Sequence, residues 1–222
     1  MRLRSILITA TAVAATIVPV GGSASAVGTC SVVAPSKVVL DREIVRVPYR
    51  LADDCDVAGA VYASWDVVHP VDGVAGGLTF DGTSSATWIL HDWQGPARYT
   101  IRPWSAVDVD TALLAQNTAG TTVKLGSRLS ATTARSTGRL TWSASASVWS
   151  PTIGDWYRRP GVAVSVMHLP TGGSAWTWVK AATTSSTGRV TLSVVPRPGQ
   201  YRLMVKETAT TWASYSSAVS GG

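Results

Sequence analysis

The sequence predicts an all-β chain built as two sequential sandwiches of about 100 residues each, behind a short export signal. Three observations predict it. Past Ala26 no stretch carries a useful helical period, whereas short runs rich in Val, Thr, Trp and Tyr recur between clusters of Gly, Pro, Ser and Asp, which is the spacing of a sandwich. Motifs of the first half return in the second at a near-constant offset. Finally, 45% of the 222 residues are hydrophobic and 14% charged, which excludes a disordered or collagen-like polymer and suffices for one large or two small cores.

The chain opens with Arg2 and Arg4, an apolar run over residues 6–20, and Ala24-Ser25-Ala26, a small-residue cleavage site. Residues 1–26 therefore read as a secretory signal peptide. The apolar run is shorter than the roughly 20 residues of a bilayer span, so the expectation is cleavage after Ala26 and release outside the cell, without a membrane span. Only Cys30 and Cys55 are present. In an exported protein such a pair is most simply a disulfide, worth roughly 3 kcal/mol in the chain-entropy picture. A lipid-modified Cys30 is the competing reading.

In the first half, strands are expected at 31–34, 43–51, 59–69, 78–80, 86–91, 98–103 and within 112–125. In the second they are expected at 127–133, 139–147, 161–168, 176–182, 189–195, 200–207 and 214–220. Alternation is clearest where Leu140, Trp142, Ala144 and Ala146 face one way and Arg139, Thr141, Ser143 and Ser145 the other, one face for core and one for water. Pro96-Ala97-Arg98-Tyr99-Thr100-Ile101 matches Pro198-Gly199-Gln200-Tyr201-Arg202-Leu203, and Val68-His69-Pro70 sits opposite Met167-His168-Leu169-Pro170. Both matches support a duplicated module. The recurrence of Ser136-Thr137-Gly138-Arg139 as Ser186-Thr187-Gly188-Arg189 reads as two similar turns.

A turn followed by Tyr201-Arg202-Leu203-Met204-Val205 and a Ser-rich last strand, together with Trp176-Thr177-Trp178-Val179, resembles the tandem immunoglobulin-like repeats of secreted actinobacterial proteins. The resemblance implies two immunoglobulin-like β-sandwich domains, residues 27–124 and 125–222, with Tyr99 and Tyr201 as tyrosine corners that bond back to the chain. It brings no catalytic residues.

Enzyme signatures are absent: there is no H-E-x-x-H, G-x-S-x-G, phosphate-cradling loop or zinc-spaced Cys and His cluster. Of the three histidines, His69 and His168 end equivalent strands and read as turn or surface residues; His91 precedes Asp92. A noncatalytic protein is expected.

Charge divides at the boundary. Residues 27–124 carry seven Lys and Arg against eleven acids, whereas residues 125–222 carry ten against two. In a sandwich of this type the loops after the second, fourth and sixth strands share one pole. In the first module that pole gathers Asp53, Asp54, Asp56, Asp81, Asp108 and Asp110. Such an oxygen-rich cluster is what calcium requires; a solvated acidic pole is the plainer reading. In the second module the same loops hold Trp149, Trp156, Tyr157, Arg158, Arg159 and Trp212. Aromatic and Arg-rich loops suit sugars, anionic polymers or a protein partner, while the short linker at 125–127 points instead to burial between the modules. Trp65, Trp88, Trp142, Trp176 and Trp178 read as core or sheet-face residues.

The expectation is a secreted, noncatalytic binding or adhesion-type protein whose partner is an extracellular protein or a cell-wall polysaccharide, and not nucleic acid. Three alternatives stand beside it. One is a protease inhibitor presenting residues 70–77 as a rigid loop. Another is a structural spacer, and the third an enzyme using Asp53, Asp54, Asp56, Asp108 and Asp110.

Overall fold

The structure, a computed structural model, describes residues 28–221, and the signal peptide read at residues 1–26 lies outside them. The first half contains β1 (Thr29–Cys30), β2 (Val32–Val33), β3 (Lys37–Leu40), β4 (Ile44–Leu51), the short helix α1 (Asp53–Val57), β5 (Ala60–His69), β6 (Gly73–Asp81), β7 (Ser85–His91), β8 (Arg98–Asp108), β9 (Ala115–Gln116) and β10 (Ala119–Leu125). One sheet joins β2, β4 and β7; the other runs β3-β10-β8-β5-β6. Alternate residues point between the sheets. Trp65, Val67, Tyr99 and Ile101 come from one sheet and Val47, Tyr49, Trp88 and Leu90 from the other, all 2% exposed or less.

The second half repeats this plan with β11 (Ser127–Ser136), β12 (Arg139–Ser150), β13 (Asp155–Arg158), β14 (Ala163–Pro170), β15 (Thr177–Thr183), β16 (Arg189–Val194), β17 (Gly199–Val205), β18 (Ser214–Tyr215) and β19 (Val219–Ser220). Here β12 pairs with β11, β13 and β16, while β15, β14 and β17 form the opposite sheet, closed by β18 and β19. The β6-β5-β8 order of the first half thus reappears as β15-β14-β17. Leu140 and Trp142 meet Val164, Val166, Tyr201 and Leu203 in a second, separate core. The chain is all-β, two β-sandwiches in tandem.

Departures from the sequence reading have local causes. β3 was not expected; its partner is β10 in parallel, Lys37 opposite Thr122, a contact with no turn nearby to announce it. α1 occupies what read as a loop, and its first turn carries Asp53, Asp54 and Asp56, favourable beside a helix N-terminus. Cys55 of α1 is disulfide-bonded to Cys30 of β1, so that thiol is not free for lipid. The last strand breaks into β18 and β19.

The loop proposed for protease inhibition requires correction. Residues 73–77 continue β6 against β5, with Gly73 opposite His69 and Gly77 opposite Asp66. Only residues 70–72 turn, held by His69 Nδ1, which accepts the Asp72 N–H at 3.1 Å. The glycines of this stretch hide a strand that pairing enforces.

Candidate functional site

The aromatic loop residues of the second sandwich divide between two environments. Along β12 the even-numbered Leu140, Trp142, Ala144 and Ala146 are buried, but Trp149, on the opposite phase, is only 6% exposed. It is buried because it enters the core of the first sandwich rather than its own. Trp156, directly across from it on β13, packs edge-on at 6.0 Å and carries the Arg128 guanidinium 3.6 Å from its ring centroid. Trp212 donates from Nε1 to the Val38 carbonyl at 2.8 Å, with Lys37 4.3 Å from its ring. Gly126 makes this closeness possible: a Cβ there would meet Asp41 at 2.9 Å and Trp156 at 3.0 Å.

The three tryptophans therefore line the junction. Tyr157 and Arg158 face solvent and Arg159 is half-buried, so the six side chains do not form one exposed patch. Among the described residues one ion pair crosses the junction, Lys124 to Glu207 at 2.5 Å. It joins a base of the acidic module to an acid of the basic one, so the opposed net charges do not meet here.

The acidic residues do share a pole. Asp108 lies opposite Ala60 and Asp81 opposite Tyr62, both at the start of β5, which α1 precedes. Because β8 runs back from the junction over 11 residues, this pole stands about 30 Å from it at roughly 3.3 Å per residue. Asp54 Oδ1 accepts the Ser31 N–H at 3.0 Å, and Asp108 Oδ1 accepts the N–H groups of Asp110 and Ala112 at 3.0 and 2.8 Å. These carboxylates tie down turns. Asp53, Asp56, Asp81 and Asp110 point to solvent. Among the described residues no three acidic, His or Cys side chains are arranged to hold a metal ion.

The paired histidines sit on the corner tyrosines. Tyr99 donates from its hydroxyl to the Gln94 and Gly95 carbonyls at 2.9 and 3.0 Å, and the Tyr201 hydroxyl accepts the Arg197 N–H at 2.9 Å. The His69 ring lies 5.1 Å from Tyr99 and that of His168 4.4 Å from Tyr201. Burial, together with the nearby Asp72 carboxylate, pushes the Tyr99 hydroxyl up to about 12. The two histidines thus serve packing and turn formation, at equivalent places in the two sandwiches.

Two tryptophans not singled out from sequence are the most exposed, Trp93 at 74% and Trp104 at 71%. Trp93 stands on a short turn, Asp92–Gln94, stacked on His91. Trp104 occupies a bulge: Trp65 is opposite Pro103 and Ser64 opposite Ser105, which leaves Trp104 without a cross-strand partner and aims its ring outward. Beside it a shallow groove of about 200 Å³ is lined by Tyr62, Ser64, Asp66 and Thr79. Asp66 Oδ2 is held by Arg102 Nη2 at 2.7 Å. The sequence carried a signal for this bulge, since the buried phase Tyr99, Ile101 shifts to Ala106 along one strand.

No protein-family profile matches the sequence, and no curated protein matches it by sequence comparison. Among solved structures, E. coli alpha-2-macroglobulin is similar at 12% identity over 87% of this chain with a TM-score of 0.44. This chain spans 14% of that chain's length. Bovine butyrophilin is similar at 14% identity, over 86% of this chain and 98% of that chain, with a TM-score of 0.27. The ligand-binding domain of human OSCAR is similar at 12% identity, over 88% of this chain and 100% of that one, with a TM-score of 0.27. These are likenesses of fold alone. Among the described residues no helix is long and apolar enough to cross a membrane.

Proposed function

We propose that the chain is a secreted, noncatalytic binding protein acting at or outside the cell surface, with residues 1–26 removed on export. Its domains are residues 27–124 and 125–222, a tandem pair of the kind found in secreted actinobacterial proteins. The carrying observation is the display of Trp104, 71% exposed, from a central strand of a rigid sheet. Trp is among the side chains that most often anchor a binding interface. The Cys30–Cys55 disulfide supports an oxidising destination. The turn duties of His69, Asp54 and Asp108 leave these residues little freedom for chemistry.

The test is recovery of the protein from the culture fluid of its producing organism, intact mass to locate the N-terminus, and retention of the purified chain on washed cells and on culture components. A mature N-terminus at Val27 and saturable retention are expected. A chain confined to the cytoplasm with its leader intact, or one retained by nothing, refutes the proposal.

A further inference from the structure

We infer that the outer face of the β11-β12-β16 sheet, around Arg158 and Arg189, binds an anionic polysaccharide. The inference rests on the binding-protein reading above and names the ligand class for a face other than that of Trp104.

Strand register sets the groups out in rows. Arg128 of β11, Ser147 of β12 and Arg158 of β13 stand side by side; Ser130, Ser145 and Arg189 form the next row, and Thr132, Ser143 and Thr191 the one after. Along β12 these positions alternate with the buried Trp142, Ala144 and Ala146, so the rows lie on the outer face. β13 and β16 follow one another along the same edge of β12. They change over at Ala146, whose N–H donates to the Gly188 carbonyl at 3.1 Å and whose carbonyl accepts the Arg159 N–H at 2.9 Å. The changeover brings Arg158 and Arg189 together: a Cβ on Gly188 would lie 2.9 Å from that of Arg158. A groove of about 350 Å³ runs from these arginines across the hydroxyl rows to β11.

Charge on this face has one sign. Its outward residues include Arg128, Arg139, Arg158 and Arg189 and no acid, and at its margin Lys180 donates to the Ser193 carbonyl at 3.2 Å. The acids around it are engaged or turned away. Asp155 is on the other phase of β13, its Oδ1 accepting the Trp156 N–H at 2.6 Å. Glu43 lies against Gly154, in the turn before β13, and Asp41, beside Gly126, pairs with Arg42 at 2.8 Å. Among the described residues neither Arg158 nor Arg189 forms an ion pair. Two exposed guanidinium groups set this close repel each other, and no carboxylate of the chain relieves them. An external oxyanion does, and the planar fork of Arg matches carboxylate, sulfate and phosphate alike.

The floor of the groove selects the kind of polymer. Ser130, Ser145 and Thr191 offer hydroxyls that both donate and accept, as sugar hydroxyls do. The aromatic ring on this phase, Trp156, is covered by Arg128 and abuts Trp149, which leaves nothing for bases to stack on. The groove also lacks the apolar centre of a protein interface.

The test is biolayer interferometry of the exported chain, residues 27–222, on immobilised polygalacturonate and dextran sulfate, with neutral dextran and DNA as comparison surfaces. Four proteins are run: wild type, the pair Arg158→Gln with Arg189→Gln, Ser130→Glu, and the pair Arg197→Gln with Lys206→Gln. Wild type should bind at least one of the two anionic polysaccharides and not dextran. Losing both groove arginines should weaken binding about tenfold, the scale of two exposed charge contacts. Ser130→Glu, which places a carboxylate in the groove at an exposed position, should weaken it comparably without lowering the melting temperature. The pair Arg197→Gln with Lys206→Gln removes the same net charge away from this face and should bind within twofold of wild type.

Equal weakening by the two double variants overturns the inference, since binding then follows net charge alone. Tighter binding to DNA than to either polysaccharide also overturns it, as does self-association abolished by Ser130→Glu with no polysaccharide bound. If wild type is retained on washed cells but on neither anionic polysaccharide, the face fails and the binding-protein reading stands. Retention on nothing at all defeats both.

Discussion

Replacing Trp149 by Ala tests the junction directly. The ring is 6% exposed and packs into the first sandwich from a strand of the second. Truncating a buried Trp costs about 3–5 kcal/mol. The edge-on contact with Trp156 is lost as well. Against this, Trp149 Nε1 has no hydrogen-bond partner, so no bond is broken and an unsatisfied donor disappears, which puts the expected loss near the lower end, about 3 kcal/mol. For a chain of this size each kcal/mol lowers Tm by about 2–4 °C. Differential scanning calorimetry should therefore register a fall of roughly 6–12 °C, with the first sandwich affected although the substitution lies in the second. Trp178→Ala, at a site 64% exposed, should change Tm little. A fall of less than about 2 °C for Trp149→Ala would refute the assignment of this residue to the neighbouring core.

Other perturbations have defined outcomes. Tyr49 is also pushed up by burial, and with Tyr99 at about 12 the folded chain holds protons that the unfolded chain releases. The stability these residues contribute is intact below the unfolded tyrosine value near pH 10 and is lost as pH rises through the folded values. Tyr99→Phe should cost about 1 kcal/mol at neutral pH, and its deficit relative to wild type should narrow above pH 10; a deficit that widens there contradicts the assignment. Reducing the disulfide should destabilise the chain by roughly 3 kcal/mol, measured by urea unfolding with and without reductant, and an unchanged midpoint would argue against the pairing. Millimolar calcium, compared with chelator, should leave Tm unchanged to within about 1 °C, because Asp54 and Asp108 already serve backbone amides; a clear rise would establish a site at the acidic pole.

How legible each feature was from sequence depended on how local its cause is. β12 and β16 could be read because alternation is a property of neighbouring residues, whereas the role of the two corner tyrosines came from the resemblance to immunoglobulin-like repeats, and Tyr99 and Tyr201 do bond back to the chain. β6 was read too short, since Gly73, Gly76 and Gly77 carry no strand propensity and only their pairing with β5 makes them one. The acidic residues could be assigned to one pole from strand order, but which oxygen serves which amide depends on loop conformation.

Sequence by itself determined the all-strand class, the duplicated plan and the cysteine pair, all of which follow from periodicity, repetition and composition. Only tertiary structure decided which tryptophans are buried and by what. Trp149 leaves its own sandwich's inward phase and is covered by the other module, while Trp104 is turned outward by one unpaired residue between two strands. Both outcomes depend on register and docking between segments far apart in the chain. No local preference of an indole distinguishes a ring that meets a neighbouring core from one that meets water.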